Sequence, residues 1–223
     1  MHNPIGAIFD MDGTLLDSMF YWQQAPRDCL REIYGQEPPA DLMDHMKAMT
    51  IAEGGAWLRE TFHLNATGEE VAAAINGMVE RFYRERVQAK PGAEHWLQCF
   101  RRAGIPMAVA TSTDRALVSA ALERTGLASY FSAVFTCTEV GAGKAQPDVY
   151  EAALTHLGTP RERTWVFEDS LFAMETAKKA AFPVVSVYDA SQDTLQEEIR
   201  ALADLYLPSF SDREPPVGTQ KQD

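Results

Sequence analysis

Short apolar runs alternate with helical periodicities along most of this chain. The segment Gly6 to Phe9 is apolar and stops at Asp10-Met11-Asp12-Gly13-Thr14, the pattern of a buried strand running into a polar loop. Similar runs recur at Pro106 to Ala110, Ala133 to Thr136, Thr164 to Phe167 and Pro183 to Tyr188. Helical stretches separate them, among them Arg115 to Thr125, Asp148 to His156 and Leu171 to Ala180. This alternation predicts an α/β fold with a doubly wound, Rossmann-like parallel sheet and crossover helices. Ligands of such sheets gather beyond the carboxyl ends of the strands. Asp10, Thr111 and the pair Glu168-Asp169 each follow an apolar run, so they belong at that edge.

The pattern changes between the first and second strands. From residue 18 to 86 only helical spacing is found, broken at Gly-Gln-Glu-Pro-Pro (35–39) and Leu-Asn-Ala-Thr-Gly (64–68). Helices are expected over Tyr21 to Tyr34, Ala40 to Met49, Ile51 to Phe62 and Glu69 to Arg86, with Thr67 or Gly68 opening the last. The expected organisation is a core of residues 1–17 and 88–208 with an all-helical cap, 18–87, inserted into it. Lys90-Pro91-Gly92 marks the return to the core. Beyond Pro208 the chain is polar and rich in Pro, Ser and Asp, so 209–223 is expected to be a flexible tail.

Composition narrows the partners. Of 223 residues, 46% are hydrophobic and 23% charged, enough apolar surface for a substantial core. Twenty Lys and Arg against 32 Asp and Glu leave a net charge of −12, which argues against nucleic acid or an anionic membrane as partner. An anionic substrate would have to be met by a local cation or by aimed donors. Cys29, Cys99 and Cys137 are widely spaced and form no CxxC pair, so neither a disulfide framework nor a zinc knuckle is expected. With no basic leader and no run of about 20 apolar residues, the expected setting is cytoplasmic, without a membrane anchor. His2, His45, His63, His95 and His156 form no ligand-spaced pair, and no catalytic role is assigned to them. Trp22 and Tyr21, close to the start of the insert, are the aromatics with some prospect of facing substrate.

Asp10 and Asp12 stand two apart at a strand end, where the period of two can aim both carboxylates toward one site. One could attack phosphorus while the other protonates the leaving oxygen and then activates water. Gly13 permits the tight turn that brings backbone donors near a phosphate. An isolated Asp-x-Asp is more often a solvated turn, and its neighbourhood decides otherwise. Phe9-Asp10-Met11-Asp12-Gly13-Thr14-Leu15-Leu16-Asp17-Ser18 resembles the first motif of haloacid dehalogenase-type phosphatases. The other motifs of that family follow in order, as Thr111, Lys144 and Glu168-Asp169-Ser170, and the resemblance covers Ile5 to Tyr188.

The resemblance implies Asp10 as nucleophile, Asp12 as general acid and base, and Thr111 and Lys144 as contacts to phosphate and nucleophile. It implies Asp169 as the main metal carboxylate. Ser112 can add a backbone amide at the same strand end. Glu168 and Asp169 are adjacent acids whose burial is costly unless a cation joins them. Mg2+ fits, held by Asp10, the backbone carbonyl of Asp12, Asp169 and, through water, Glu168. Two departures from the family pattern stand out. Lys144 opens Lys-Ala-Gln-Pro-Asp where Lys-Pro-x-Pro-Asp is expected, and Ala173 and Ala181 replace glycines after the last motif.

The function implied is Mg2+-dependent hydrolysis of a small phosphorylated metabolite through an aspartyl phosphate on Asp10. Asp12 is a carboxylate that dehalogenases and phosphonatases of the superfamily lack, which disfavours their chemistry. A sugar phosphomutase of the β-phosphoglucomutase type is the main alternative. Its pattern includes a histidine just after the first motif, whereas this chain has Phe20-Tyr21-Trp22-Gln23. A noncatalytic binding or regulatory protein on the same fold is the alternative of another class. The sequence carries no signature of oligomeric state.

Overall fold

The computed structural model describes residues 2–46, 49 and 51–217. The chain divides into two compact units, Ser18–Arg86 and a core formed by the segments on either side of it. The core opens with β1 (Gly6–Phe9) and β2 (Leu16–Asp17). The inserted unit is helical: α1 (Met19–Asp28), α2 (Leu42–Met46), α3 (Ile51–Thr61) and α4 (Gly68–Glu85). The core resumes with β3 (Gln88–Ala89), α5 (Ala93–Arg102), β4 (Met107–Thr111), α6 (Arg115–Arg124), β5 (Ala133–Thr136) and α7 (Cys137–Val140). It ends with α8 (Asp148–Leu157), β6 (Thr164–Glu168), α9 (Leu171–Lys179), β7 (Val184–Val187), α10 (Gln196–Leu202) and β8 (Leu205–Leu207).

Six strands form one parallel sheet in the order β5-β4-β1-β6-β7-β8. Their runs, GAIF, MAVAT and TWVFE among them, are apolar without alternation because parallel strands covered on both faces bury every side chain. Successive side chains point to opposite faces. Ile8 and Val166 join Val149, Ala153, Met174 and Phe182 in the core on one face. On the other, Phe9 stacks on Phe167 at 4.2 Å, and Phe167 meets Trp96 and Phe210 edge-on or stacked. Strand order runs outward in both directions from the β1–β6 pair, which places the carboxyl ends of β1, β4 and β6 side by side.

Several elements differ from expectation. The expected helix over Tyr21 to Tyr34 is α1 followed by a π-helical turn, Cys29–Ile33. Pro26 inside α1 lacks the amide that would continue the ladder, and the backbone widens just after it. Of the helix expected over 40–49, Leu42–Met46 is helical, and residues 47 and 48 lie outside those described. Thr67 caps α4 in a full capping box with Glu70. The expected flexible tail is corrected over its first part: Phe210 is fully buried and Trp96 Nε1 donates to the carbonyls of Phe210 and Arg213, both at 2.9 Å. A single large aromatic supplies enough apolar burial to anchor an otherwise polar segment. Residues 218–223, the end of that expected tail, lie outside those described. Tyr21 is buried in the helical unit, stacked on Phe82 at 4.2 Å, and Trp22 Nε1 donates to the Tyr83 hydroxyl at 3.0 Å.

Candidate active site

Asp10 is the first residue past β1, and its amide donates to the Phe167 carbonyl at 2.9 Å, which locks it beside β6. Its side chain is buried, and Lys144 donates to its Oδ1. The same ammonium, 5% exposed, donates to Glu168 Oε1 at 2.6 Å, so one cation bridges the ends of two strands. Lys144 reaches this point from a turn closed by Gln146 N–H on the Gly143 carbonyl at 2.9 Å, ahead of α8. Ala145, where the family pattern has proline, is exposed in that turn. Asp169 is buried and accepts from the Thr14 hydroxyl at 3.2 Å. Carboxylate oxygens of Asp10, Glu168 and Asp169 all lie within 4.8 Å of one another.

Asp12 is set apart from that trio. It is half-buried, and its Oδ2 accepts from the Thr113 hydroxyl at 2.7 Å. Gly13 follows it at φ 81° and turns the loop so that its amide reaches the Leu16 carbonyl at 3.0 Å. Thr111 is buried at the end of β4, and its hydroxyl accepts from Thr113 N–H at 3.1 Å. Ser112 is exposed, with Oγ 3.6 Å from Cys137 Sγ.

Four supporting groups were not singled out from the sequence. Tyr150 donates to Glu168 Oε1 at 2.7 Å, Thr14 holds Asp169, and Thr113 holds Asp12. Lys90 forms a mostly buried ion pair with Asp189, Nζ to Oδ2 at 2.9 Å, and also donates to the Tyr188 carbonyl. Lys90 and Tyr150 sit in segments that read as ordinary return loop and helix. Thr14 and Thr113 adjoin positions already named, and that adjacency was the available signal.

Burial dominates the electrostatics. It pushes Glu168 up to about 7 even though Lys144 works against it, with the Asp10 charge adding to the rise. Burial raises Asp169 well above the ordinary aspartate range, helped by Asp10, Glu168 and Asp189. For Lys144 burial opposes the charge, yet the carboxylates of Asp10 and Glu168 outweigh it and hold the ammonium firmly protonated. Three buried carboxyls share one ammonium, so a second cation would favour their ionised forms on this set of oxygen donors. A hard divalent cation fits such a set.

A doubly wound α/β sheet that collects a buried aspartate, a half-buried aspartate two residues on, a lysine and a distal acid pair at its carboxyl edge is an enzyme scaffold of the phosphoryl-transfer kind. The chain belongs to the haloacid dehalogenase-like hydrolase family, whose model matches residues 6–181. It is 31% identical to the phosphorylated carbohydrates phosphatase of Thermotoga maritima, over 78% of this chain and 80% of that one. It is 29% identical to the fructose-1-phosphate phosphatase YqaB of Escherichia coli, over 82% of this chain and 95% of the relative. Among solved structures, one from Thermotoga maritima assigned as a beta-phosphoglucomutase superposes with a TM-score of 0.80 at 28% identity, covering 91% of this chain and 93% of that one. The chain is accordingly a phosphoric monoester hydrolase. Among the described residues no helix is long and apolar enough to cross a membrane.

Proposed function

We propose that this enzyme is a Mg2+-dependent phosphatase of small phosphorylated carbohydrates that works through an aspartyl phosphate on Asp10. The observation that carries the reading is the division between two aspartates of one loop. Asp10 is buried and ion-paired with Lys144, whereas Asp12 is half-buried, outside the trio of clustered acids, and accepts from the Thr113 hydroxyl. A nucleophile has to be fixed and kept ionised, and an acid and base has to exchange protons with substrate and water.

In the proposed sequence an Asp10 oxygen bonds to phosphorus as the bond from phosphorus to the sugar oxygen breaks. Asp12 gives that oxygen its proton. Water then attacks the phosphoryl group, Asp12 takes the water proton, and the bond from Asp10 to phosphorus breaks to release phosphate. The Lys144 ammonium neutralises charge on the phosphoryl oxygens, and the Thr111 hydroxyl and Ser112 amide add neutral donors. Asp10, Asp169, Glu168 and the Asp12 backbone carbonyl would hold Mg2+, which supplies charge neutralisation at the phosphoryl group. The relatives that are phosphatases of sugar phosphates support the substrate class. The three unpaired cysteines support a reducing, cytoplasmic setting.

The beta-phosphoglucomutase assignment of a structural neighbour favours a second reading, sugar phosphomutase chemistry. Phosphate release from a panel of sugar phosphates and nucleotides, with Mg2+ and after chelation, separates the two. Mg2+-dependent release highest with sugar phosphates is expected. Isomerisation of a sugar phosphate without release would establish the mutase instead.

A further inference from the structure

A second cluster of metal-ligating side chains lies in the core unit, built from different donors. His95 and Cys99 are one turn apart on α5, so both face the same side of the helix. Cys99 Sγ is 3.7 Å from His95 Nε2, and Glu214 Oε2 is 2.9 Å from the same nitrogen. All three ligand atoms fall within 4.8 Å of one another. Around tetrahedral zinc, bond lengths of about 2.05 Å to nitrogen and about 2.3 Å to sulfur put those two atoms about 3.6 Å apart, and nitrogen and carboxylate oxygen about 3.3 Å apart. The cluster is therefore close to ligation spacing. The signal for it in the sequence is the one-turn spacing of His95 to Cys99.

Independent features bring Glu214 to this helix. Gly92, at φ +82°, lies so close to the C-terminal segment that a Cβ there would sit 2.6 Å from Ser211 N and 2.7 Å from Phe210 C. Trp96 binds the carbonyls of Phe210 and Arg213, directly before Glu214. Phe210 in turn packs on Phe167, the neighbour of Glu168. The His95 and Glu214 side chains are 48% and 85% exposed, so an ion can reach them and a water can complete the coordination. Arg102 offers a donor to Cys99 Sγ at 3.5 Å.

We propose that His95, Cys99 and Glu214 form a site for a zinc-class divalent ion that clamps the C-terminal segment onto α5. Imidazole and thiolate select zinc or cobalt and are poor ligands for magnesium, so the site is chemically separate from the all-oxygen acid trio. Binding releases the thiol proton and leaves the oxidation state of every group unchanged.

The test is titration of the full-length protein with Co2+ as probe, in excess Mg2+ to occupy the oxygen site. One equivalent is expected to give a thiolate-to-cobalt charge-transfer band, displaced by Zn2+ and abolished in C99S. H95Q and E214Q are expected to weaken binding at least about tenfold. Zn2+ is expected to slow amide exchange over residues 210–215 in the wild type and not in E214Q. No band, or a band that persists in C99S, would overturn the site. Binding unchanged in E214Q would overturn the clamp.

Discussion

The two units of this chain treat charge in opposite ways. Among the described residues the buried charged side chains, Asp10, Lys144, Glu168, Asp169 and Asp189, all belong to the core unit. The helical unit keeps its charges at the surface, in pairs such as Arg84 with Glu80 and Arg31 with Glu37, and in the Thr67–Glu70 capping box. It also stacks Tyr21 on Phe82 beneath Arg86, so its polar and apolar groups serve packing. Surface pairs contribute about 0–1 kcal/mol each, whereas burying an ion costs several kcal/mol before any partner is supplied. A fold has no structural reason to put three carboxylates within 4.8 Å of one another out of water. Where it does so, the arrangement serves chemistry.

The sharpest way to break this comparison is to remove the shared cation. Lys144→Ala is expected to lower turnover about 10²- to 10³-fold in a phosphate-release assay, since it withdraws positive charge from the transferring group. A loss below tenfold would mean that the buried ammonium is structural only.

Next in size is a dependence on pH that arises from the buried carboxyls of the core unit. Glu168, ordinarily near 4.5, is raised to about 7 by burial and the nearby Asp10 charge, so the folded metal-free protein holds that proton more tightly than the unfolded chain. The stability it contributes is complete below pH 4.5 and is lost as pH rises toward 7. Mg2+ bound by ionised carboxylates opposes that loss. The gain in Tm on adding Mg2+ is therefore expected to grow between pH 5 and 7.5, read by thermal unfolding with and without metal. A gain that stays flat across this window would contradict the assigned metal carboxylates.

Tyr150→Phe removes the hydroxyl that orients Glu168 and leaves ring packing intact. The Mg2+ concentration for half-maximal activity is expected to rise about tenfold. An unchanged Mg2+ requirement would make the Tyr150 bond incidental.

The smallest effects are a pair of opposite sign, one in each unit. Thr67→Ala removes the cap of α4 and is expected to cost about 1 kcal/mol in denaturant unfolding, without changing the Mg2+ requirement. Ala181→Gly is expected to stabilise by about 1 kcal/mol. Ala181 has φ 62° in a helix end where its amide reaches the Lys178 carbonyl and Phe182 N–H the Ala177 carbonyl, both close to 3 Å. A Thr67→Ala loss beyond about 3 kcal/mol, or destabilisation by Ala181→Gly, would show that these ends are held by more than their caps.

Much of the fold and of the candidate site was legible for the same reason. Apolar runs such as GAIF and TWVFE are unambiguous because both sheet faces are covered, and the residue that ends each run is the one placed at the site. Asp10, Thr111, Glu168 and Asp169 could be placed at the sheet edge that way, whereas Asp12 and Lys144 were singled out by the resemblance to the family's ordered motifs. Ala181 was readable as a departure from glycine, and its left-handed backbone shows what the glycine was for. The pairing of β2 with β3 was not legible, because two residues are too few to show a period. β8 is only LYL, and α5 hides its amphipathic face behind Lys90-Pro91-Gly92. Tyr150, Lys90 and Asp189 are charged or polar partners across long sequence separations, and no local pattern announces them. The first part of the expected tail, residues 209–217, was misread because composition counts its polar residues and misses the one phenylalanine that anchors it.

The central claim is that Asp10 carries the phosphoryl group. It is tested most directly by mixing Asp12→Asn protein with Mg2+ and an aryl phosphate, whose leaving group needs little protonation, then quenching in acid and mapping peptides by mass. The account predicts one phosphoryl group on the peptide containing Asp10, accumulating in Asp12→Asn because its hydrolysis is slowed. It also predicts loss of turnover by about 10⁴-fold or more in Asp10→Asn. Label on another residue, or Asp10→Asn turning over like the wild type, would contradict it.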